Sequence, residues 1–566
     1  MLLIILSWVY IVFTTINLGF GVDKLFKLQN KDFVVTSVLG LFATTILASF
    51  WAIFGRINIE FHYLLLTLNL LIFLKFKDDI FSIYTTFINE LKTLSKNLKY
   101  YLAIITFCII AQCSSIPYVI DNESYYIQTI KWLNEYGFVK GLVNLHFFLG
   151  QVSGWHITQS ALNFSFLYKN FNDLSGFCLL LGNIFAIQKL NTFFENNDTK
   201  YLIVGLFPLF NLFLFQFISA PSPDIPVYVF TFVILFYYIE KHNKISPEIF
   251  NLLVILILFT FYIKNTTVTF FLIPLLVLIL NYKILSKKLL KPTLITIVVT
   301  GLFVAKNMII CGSMVFPSKL FNSLNMDYSI PDTIEQFYYD QLKYYGYFID
   351  LNQYNSMSVQ DLFLRWLTLP KMNGLFNKIS ILLVLIVPIL LYKFQNKKEY
   401  WSLYFLMLIQ LILLFATSPQ YRFFMNFIFF FSLFCLTLFI KRKKPIYFLL
   451  QLSLFASLIV VFLPVNLNRF SNYKFMMEIS NFSSTNIIFP HKNTKFDTPF
   501  ETIKKGNLIY NSPIKNDFFW SSGDGNLPSV NKEQIEYFEK YFHIIPQLRT
   551  KNIKDGFYAK EIIPNE

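Results

Sequence analysis

Two carboxylates stand at the edges of apolar stretches, where their type and placement suit acid–base chemistry. Asp121 follows directly on one apolar run and opens the segment DNESYYIQTIKWLNEYGFVKGLVNLH. Asp224 lies in the Pro-rich turn SAPSPDIPVY between two others. A carboxylate so close to hydrocarbon is costly unless it is solvated or paired, so each calls for a partner. Glu123 is the rival to Asp121 as a proton acceptor. Four cations interrupt apolar surroundings in the same way: Lys264 in FYIKNTTV, Lys306 in VAKNMIICG, Arg365 in FLRWLTLP and Arg422 in SPQYRFF. Gathered on one face, they would suit an anionic ligand such as a lipid phosphate. Plainer roles compete with these. On the residues alone Asp121 reads first as a helix N-cap, Asp224 serves as well as a turn residue beside Pro, and the cations can snorkel to headgroups.

The segment after Asp121 also carries Tyr125, Tyr126, Trp132, Asn144, His146 and Trp155, a candidate substrate-binding set. Trp and Tyr there serve equally as interface anchors, and His as a structural residue. Ile127, Ile130 and Leu133 recur at helical spacing and Gly137 supplies a stop, which predicts an amphipathic helix lying at the membrane surface. The five Cys residues lie in or beside apolar segments, without a CxxC pair or a His/Cys ligand spacing, so no metal site and no required cofactor is expected. The chain has no Walker A loop, no GxGxxG after a strand, no HExxH and no GxSxG.

The elements that must position these residues are membrane spans. The 566 residues are 55% hydrophobic and 14% charged, with mean hydropathy +0.52. A soluble domain carries about 25% charged residues. About fourteen stretches approach the ~20 apolar residues that a span needs, the one at 61–75 being the weakest. The net charge of +15 comes from short Lys runs between these stretches. Such runs follow the positive-inside rule and do not call for nucleic acid. The clusters Lys24/Lys27/Lys31, Lys92/Lys96/Lys99, Lys241/Lys244, Lys283/Lys287/Lys288/Lys291, Lys393/Lys397/Lys398 and Lys441–Lys444 all fall on one side when loops are alternated. That side is expected to be cytoplasmic. Loops 117–173 and 312–376, the turns holding Asp224, Lys264 and Arg422, and everything after Pro464 then face away from the cytoplasm. The predicted fold is an all-α polytopic membrane domain, 1–463, with about 12–14 transmembrane helices. A small α+β soluble domain, 464–566, follows it.

This layout resembles the GT-C superfamily of membrane glycosyltransferases, which includes protein O-mannosyltransferases and the aminoarabinose transferases that modify lipid A. Asp121 matches the superfamily's catalytic carboxylate in the first exoplasmic loop. Pro223-Asp224-Ile225-Pro226, Lys264-Asn265-Thr266-Thr267, and Lys306-Asn307 with Gly312 and Phe316-Pro317 resemble further motifs of those two branches. WLNEYGFVKGLVNLH, SPSPDIP and FFWSSGDGNLP are similar to strings in a group of bacterial membrane proteins placed in the same superfamily. The resemblance implies an inverting glycosyltransferase of a bacterial inner membrane, its site facing the periplasm or exterior. The donor would be a polyprenyl-phosphate sugar, and the acceptor a cell-surface glycan, lipid or protein. It assigns Asp121, with Glu123 as its rival, and Asp224 to catalysis; Lys264 and Lys306, together with the misplaced cations Arg422 and Arg365, are then expected to bind the donor phosphate. A lipid-linked glycan ligase or polymerase, and a non-enzymatic flippase or transporter of lipid-linked saccharide, are the alternatives. More spans precede the loop than is usual in that superfamily.

Overall fold

A computed structural model describes residues 1–242, 245–318, 326–470, 482–514 and 518–562; Lys244 of the basic-loop pattern lies outside them. The chain is mostly helical. Among the described residues, nine helices are long and apolar enough to cross a membrane. A tenth span results if Asn265–Leu280 and Tyr282–Lys288, bent by 90°, count as one. These helices are compatible with a polytopic membrane protein. Each of the predicted apolar stretches falls on a helix. The expected count is not reached by length and composition, because Pro247–Ile263 and Met425–Phe439 run only 17 and 15 residues. Lys96–Cys113 and Asp224–Lys241 also lie outside the nine.

The stretch that looked weakest belongs to the longest helix, Ile59–Thr93, bent at Phe76. Lys75, Lys77, Asp78 and Asp79 end its apolar run but are compatible with a helix, so the helix continues where hydropathy stops. Helices Leu2–Phe26 and Phe33–Phe54 cross at glycine: a Cβ on Gly19 would strike the Thr36 carbonyl, and one on Gly40 the backbone of Thr15. Small residues let backbones approach where the lipid supplies no hydrophobic drive between helices.

The connections sort onto two ends of the bundle. At one end, Lys24 pairs with Asp79 at 3.1 Å and Lys189 with Asp32 at 3.3 Å. There too Ser95 Oγ meets Tyr447 Oη at 2.9 Å, and Lys291 Nζ donates to the Leu25 carbonyl. These contacts join four of the six Lys-rich connections in two pairs. The opposite end carries Asp121, Asp224, Lys264 and Arg422 and the C-terminal tail.

In the tail, β1 (Phe500–Lys505) and β2 (Leu508–Pro513) form one antiparallel pair, with Phe500 opposite Pro513. After helix Lys532–Phe542, β3 (Ile544–Leu548) and β4 (Phe557–Glu561) form a second. Gly506 makes the β1–β2 turn at φ +62°. The helix after Asp121 runs Ile127–Glu135 and ends at Gly137, φ +77°. It does not lie at a lipid surface. Ile127, Ile130, Trp132 and Leu133 are buried, and the tail covers it: the ring of Phe557 in β4 meets Trp132 edge-on at 5.7 Å.

Candidate functional site

Four charged residues from four distant segments meet at the tail-bearing end. Asp121 precedes a single π-helical turn, Asn122–Tyr126. It makes no side-chain cap hydrogen bond there, which removes the plain N-cap reading. Its Oδ2 instead accepts from Arg422 Nη1 at 2.8 Å, across 301 residues. Arg422 sits in the 3-10 turn Tyr421–Phe423 between two apolar helices. Two bonds hold it there: its Nε donates to Gln420 Oε1 at 3.1 Å, and its carbonyl accepts from Tyr228 Oη at 2.8 Å. Tyr126 Oη lies 3.5 Å from the same Asp121 oxygen.

Asp224 is the first residue of helix Asp224–Lys241. Prolines at 221 and 223 end the preceding chain, and the positive end of a helix favours a carboxylate at that position. It pairs with Lys264, the C-cap of helix Pro247–Ile263. The two pairs share an aromatic ring. Lys264 Nζ lies 4.3 Å and Arg422 Cζ 5.1 Å from the centroid of Phe423. Asp121 and Asp224 therefore line one site. The pairs differ in access. The Asp121 and Arg422 side chains are 20% and 30% exposed, those of Asp224 and Lys264 4% and 16%. The Asp121–Arg422 pair is thus the more accessible of the two.

The other predicted residues are placed elsewhere. Glu123 faces the tail: Oε1 accepts from the Lys495 amide and Oε2 from Thr494 Oγ1, both at 2.7 Å. Its carbonyl accepts from the amides of Ser522 and Gly523 at 3.0 and 2.9 Å. Burial pushes its carboxyl up to about 7, against the opposing pull of those hydrogen bonds and one from Asn122. Lys306 Nζ donates to the Val152 carbonyl, and Arg365 to the carbonyls of Tyr347 and Phe348 at 3.3 and 3.2 Å. Both cations thus serve backbone oxygens. Asn144 Nδ2 donates to the Tyr328 carbonyl at 2.8 Å. The Trp155 ring is fully buried, its Nε1 bound to Ser175 Oγ at 3.0 Å. His146 packs 6.2 Å from Trp520, and burial pushes its imidazole down to about 4, which leaves it neutral at physiological pH. The Tyr125 ring meets that of Tyr126 edge-on at 4.8 Å, beside the site.

Several residues that shape the site did not stand out in the sequence. Phe423 joins the two cations. Gln128 Nε2 donates to the carbonyls of Gly523 and Gly525, both at 3.0 Å, and Lys131 Nζ reaches Asp524 Oδ1 at 2.5 Å. The string FFWSSGDGNLP thus clamps the helix that follows Asp121. The string stood out by resemblance, but its contact with this helix did not; Gly523 turns the chain there at φ +55°.

Helical architecture and a charged site at one end define a membrane-type protein with a polar, tail-covered face. The chain belongs to the family described as a domain of unknown function, DUF8201, whose match spans residues 1–429. That match takes in Asp121, Asp224, Lys264 and Arg422. No curated protein and no solved structure matches the chain.

Proposed function

We propose that this protein is a GT-C-type glycosyltransferase that moves a sugar from a polyprenyl-phosphate donor to an acceptor at the non-cytoplasmic surface of a bacterial inner membrane. The observation that carries the reading is the meeting of Asp121 with Arg422, and of Asp224 with Lys264, around Phe423. The Lys-rich connections lie at the opposite end of the bundle, which supports a non-cytoplasmic site by the positive-inside rule.

The donor's tail would lie among the helices and its phosphate at the bundle end. The phosphate competes with Asp121 for Arg422 and so frees the carboxylate. Asp121 then takes the proton of the acceptor hydroxyl. The acceptor oxygen bonds to the anomeric carbon as the bond from that carbon to the phosphate oxygen breaks, with inversion. Arg422 and Lys264 stabilise the charge on the departing polyprenyl phosphate. Asp224 holds Lys264 in place. Cations suffice for this leaving group, so no metal enters the scheme.

The test is a mass profile of surface glycans and lipid-linked intermediates in a deletion strain complemented with wild type or Asp121→Asn. Loss of a sugar together with build-up of its carrier-linked donor, at normal protein abundance, supports transfer. A full profile with Asp121→Asn removes it.

A further inference from the structure

The loop that carries Asp121 and the tail enclose a second feature, a pocket of about 210 Å³. That is smaller than a drug-sized site of about 300 Å³ or more. One wall is Glu123, two residues from Asp121. Lys169, Asn170, Lys492 and Asp497 line it further, with Phe500 of β1 and Ser521. Its charge is mixed in sign. Lys492 Nζ lies 3.4 Å from Asp497 Oδ1 on the exposed rim. Asp524, also in the lining, is held by Lys131.

This mixture selects among ligands. A strong anion would meet Glu123, Asp497 and Asp524, and a cation would meet Lys169 and Lys492. A neutral, hydroxyl-rich molecule can use donors and acceptors together. The ring of Phe500 supplies an apolar surface for a C–H face. A second observation points the same way. Ser521 is fully buried, and its Oγ has no hydrogen-bond partner among the described residues. Buried hydroxyls without partners are uncommon.

We propose that this pocket binds a single neutral sugar unit. Its place beside Asp121 makes that sugar part of the acceptor, an assignment that rests on the transferase reading; the binding itself does not.

The full chain in nanodiscs, applied to an array of bacterial polysaccharide fragments, tests this. At least one fragment should bind. Lys169→Ala and Asp497→Asn, both at exposed positions, should each weaken it by about tenfold, the loss expected for one hydrogen bond to a charged group. Phe500→Ala, checked for folding by size exclusion, should abolish it. Asp121→Asn should bind as wild type does. The proposal fails if no fragment binds, or if the three pocket variants bind equally well. Binding that survives in Asp121→Asn while that variant still restores the cellular glycan profile would keep the pocket and remove the transferase reading.

Discussion

Asp121 and Glu123 are separated by one residue and serve opposite walls of the same turn. Asp121 faces the helix bundle and is held by one partly exposed guanidinium. Glu123 faces the tail, is almost wholly buried, and accepts hydrogen bonds at both oxygens. On the proposed function, the contrast separates chemistry from architecture. A group that must exchange its proton needs an open side and a partner that a ligand can displace. A group that ties two segments together needs neither. Sequence alone makes the two residues rivals; their surroundings divide the work.

The contrast can be broken at its chemical side first. Asp121→Asn should lower transfer by about 10²- to 10⁴-fold. It should leave protein abundance unchanged, because a partly exposed ion pair contributes about 0–1 kcal/mol. Quantifying transferred sugar against immunoblotted protein checks both. Asp224→Asn should act through the fold. It strands Lys264 in a buried position, a change that costs about 3–5 kcal/mol. Membrane abundance should fall, and adding Lys264→Met should recover abundance without recovering transfer.

Arg422→Lys keeps the charge and loses the planar fork. Transfer should drop by about 10- to 100-fold, the value of one charge-assisted hydrogen bond, with the variant stably inserted. Glu123 gives a pH signature on the architectural side. Its carboxyl is raised from 4.5 to about 7 in the folded chain, so the folded state favours the protonated form. The stability it lends is full below pH 4.5 and is lost as pH rises through 7, a change on the order of 1–3 kcal/mol. Protection against hydrogen exchange at 493–496 and 522–524, taken relative to the intrinsic exchange rate at each pH, should therefore fall between pH 5 and pH 8, and Glu123→Gln should flatten that fall. The smallest effect is expected for Lys131→Met, which removes the pair with Asp524 and should loosen the tail by about 1 kcal/mol in the same experiment.

The apolar helices were readable in the sequence, because hydropathy answers directly to the bilayer, whereas the side on which the charged turns lie rests on Lys placement alone. Asp224, Lys264 and Arg422 stood out for the same reason: each is a charge where lipid disfavours one. Lys306 and Arg365 met that criterion too, yet they bind backbone carbonyls. Hydropathy locates a charge along the chain but does not say which way it points. Trp132, Trp155 and His146 looked like surface aromatics, and the fold buries all three. The tail that covers two of them starts more than 300 residues later, and no local pattern encodes that docking. The bonds from Ser522 and Gly523 to Glu123 lie beyond periodicity for the same reason.

The most direct test sets Asp121→Asn and Glu123→Gln side by side in one complemented deletion strain, reading transferred sugar per molecule of membrane-inserted protein. The account predicts that Asp121→Asn lowers transfer by about 10²-fold or more at normal abundance, while Glu123→Gln, whose side chain bonds the tail as well as lining the pocket, lowers transfer per molecule by about tenfold at most. A Glu123→Gln chain that inserts normally and transfers nothing, beside an active Asp121→Asn chain, would contradict it.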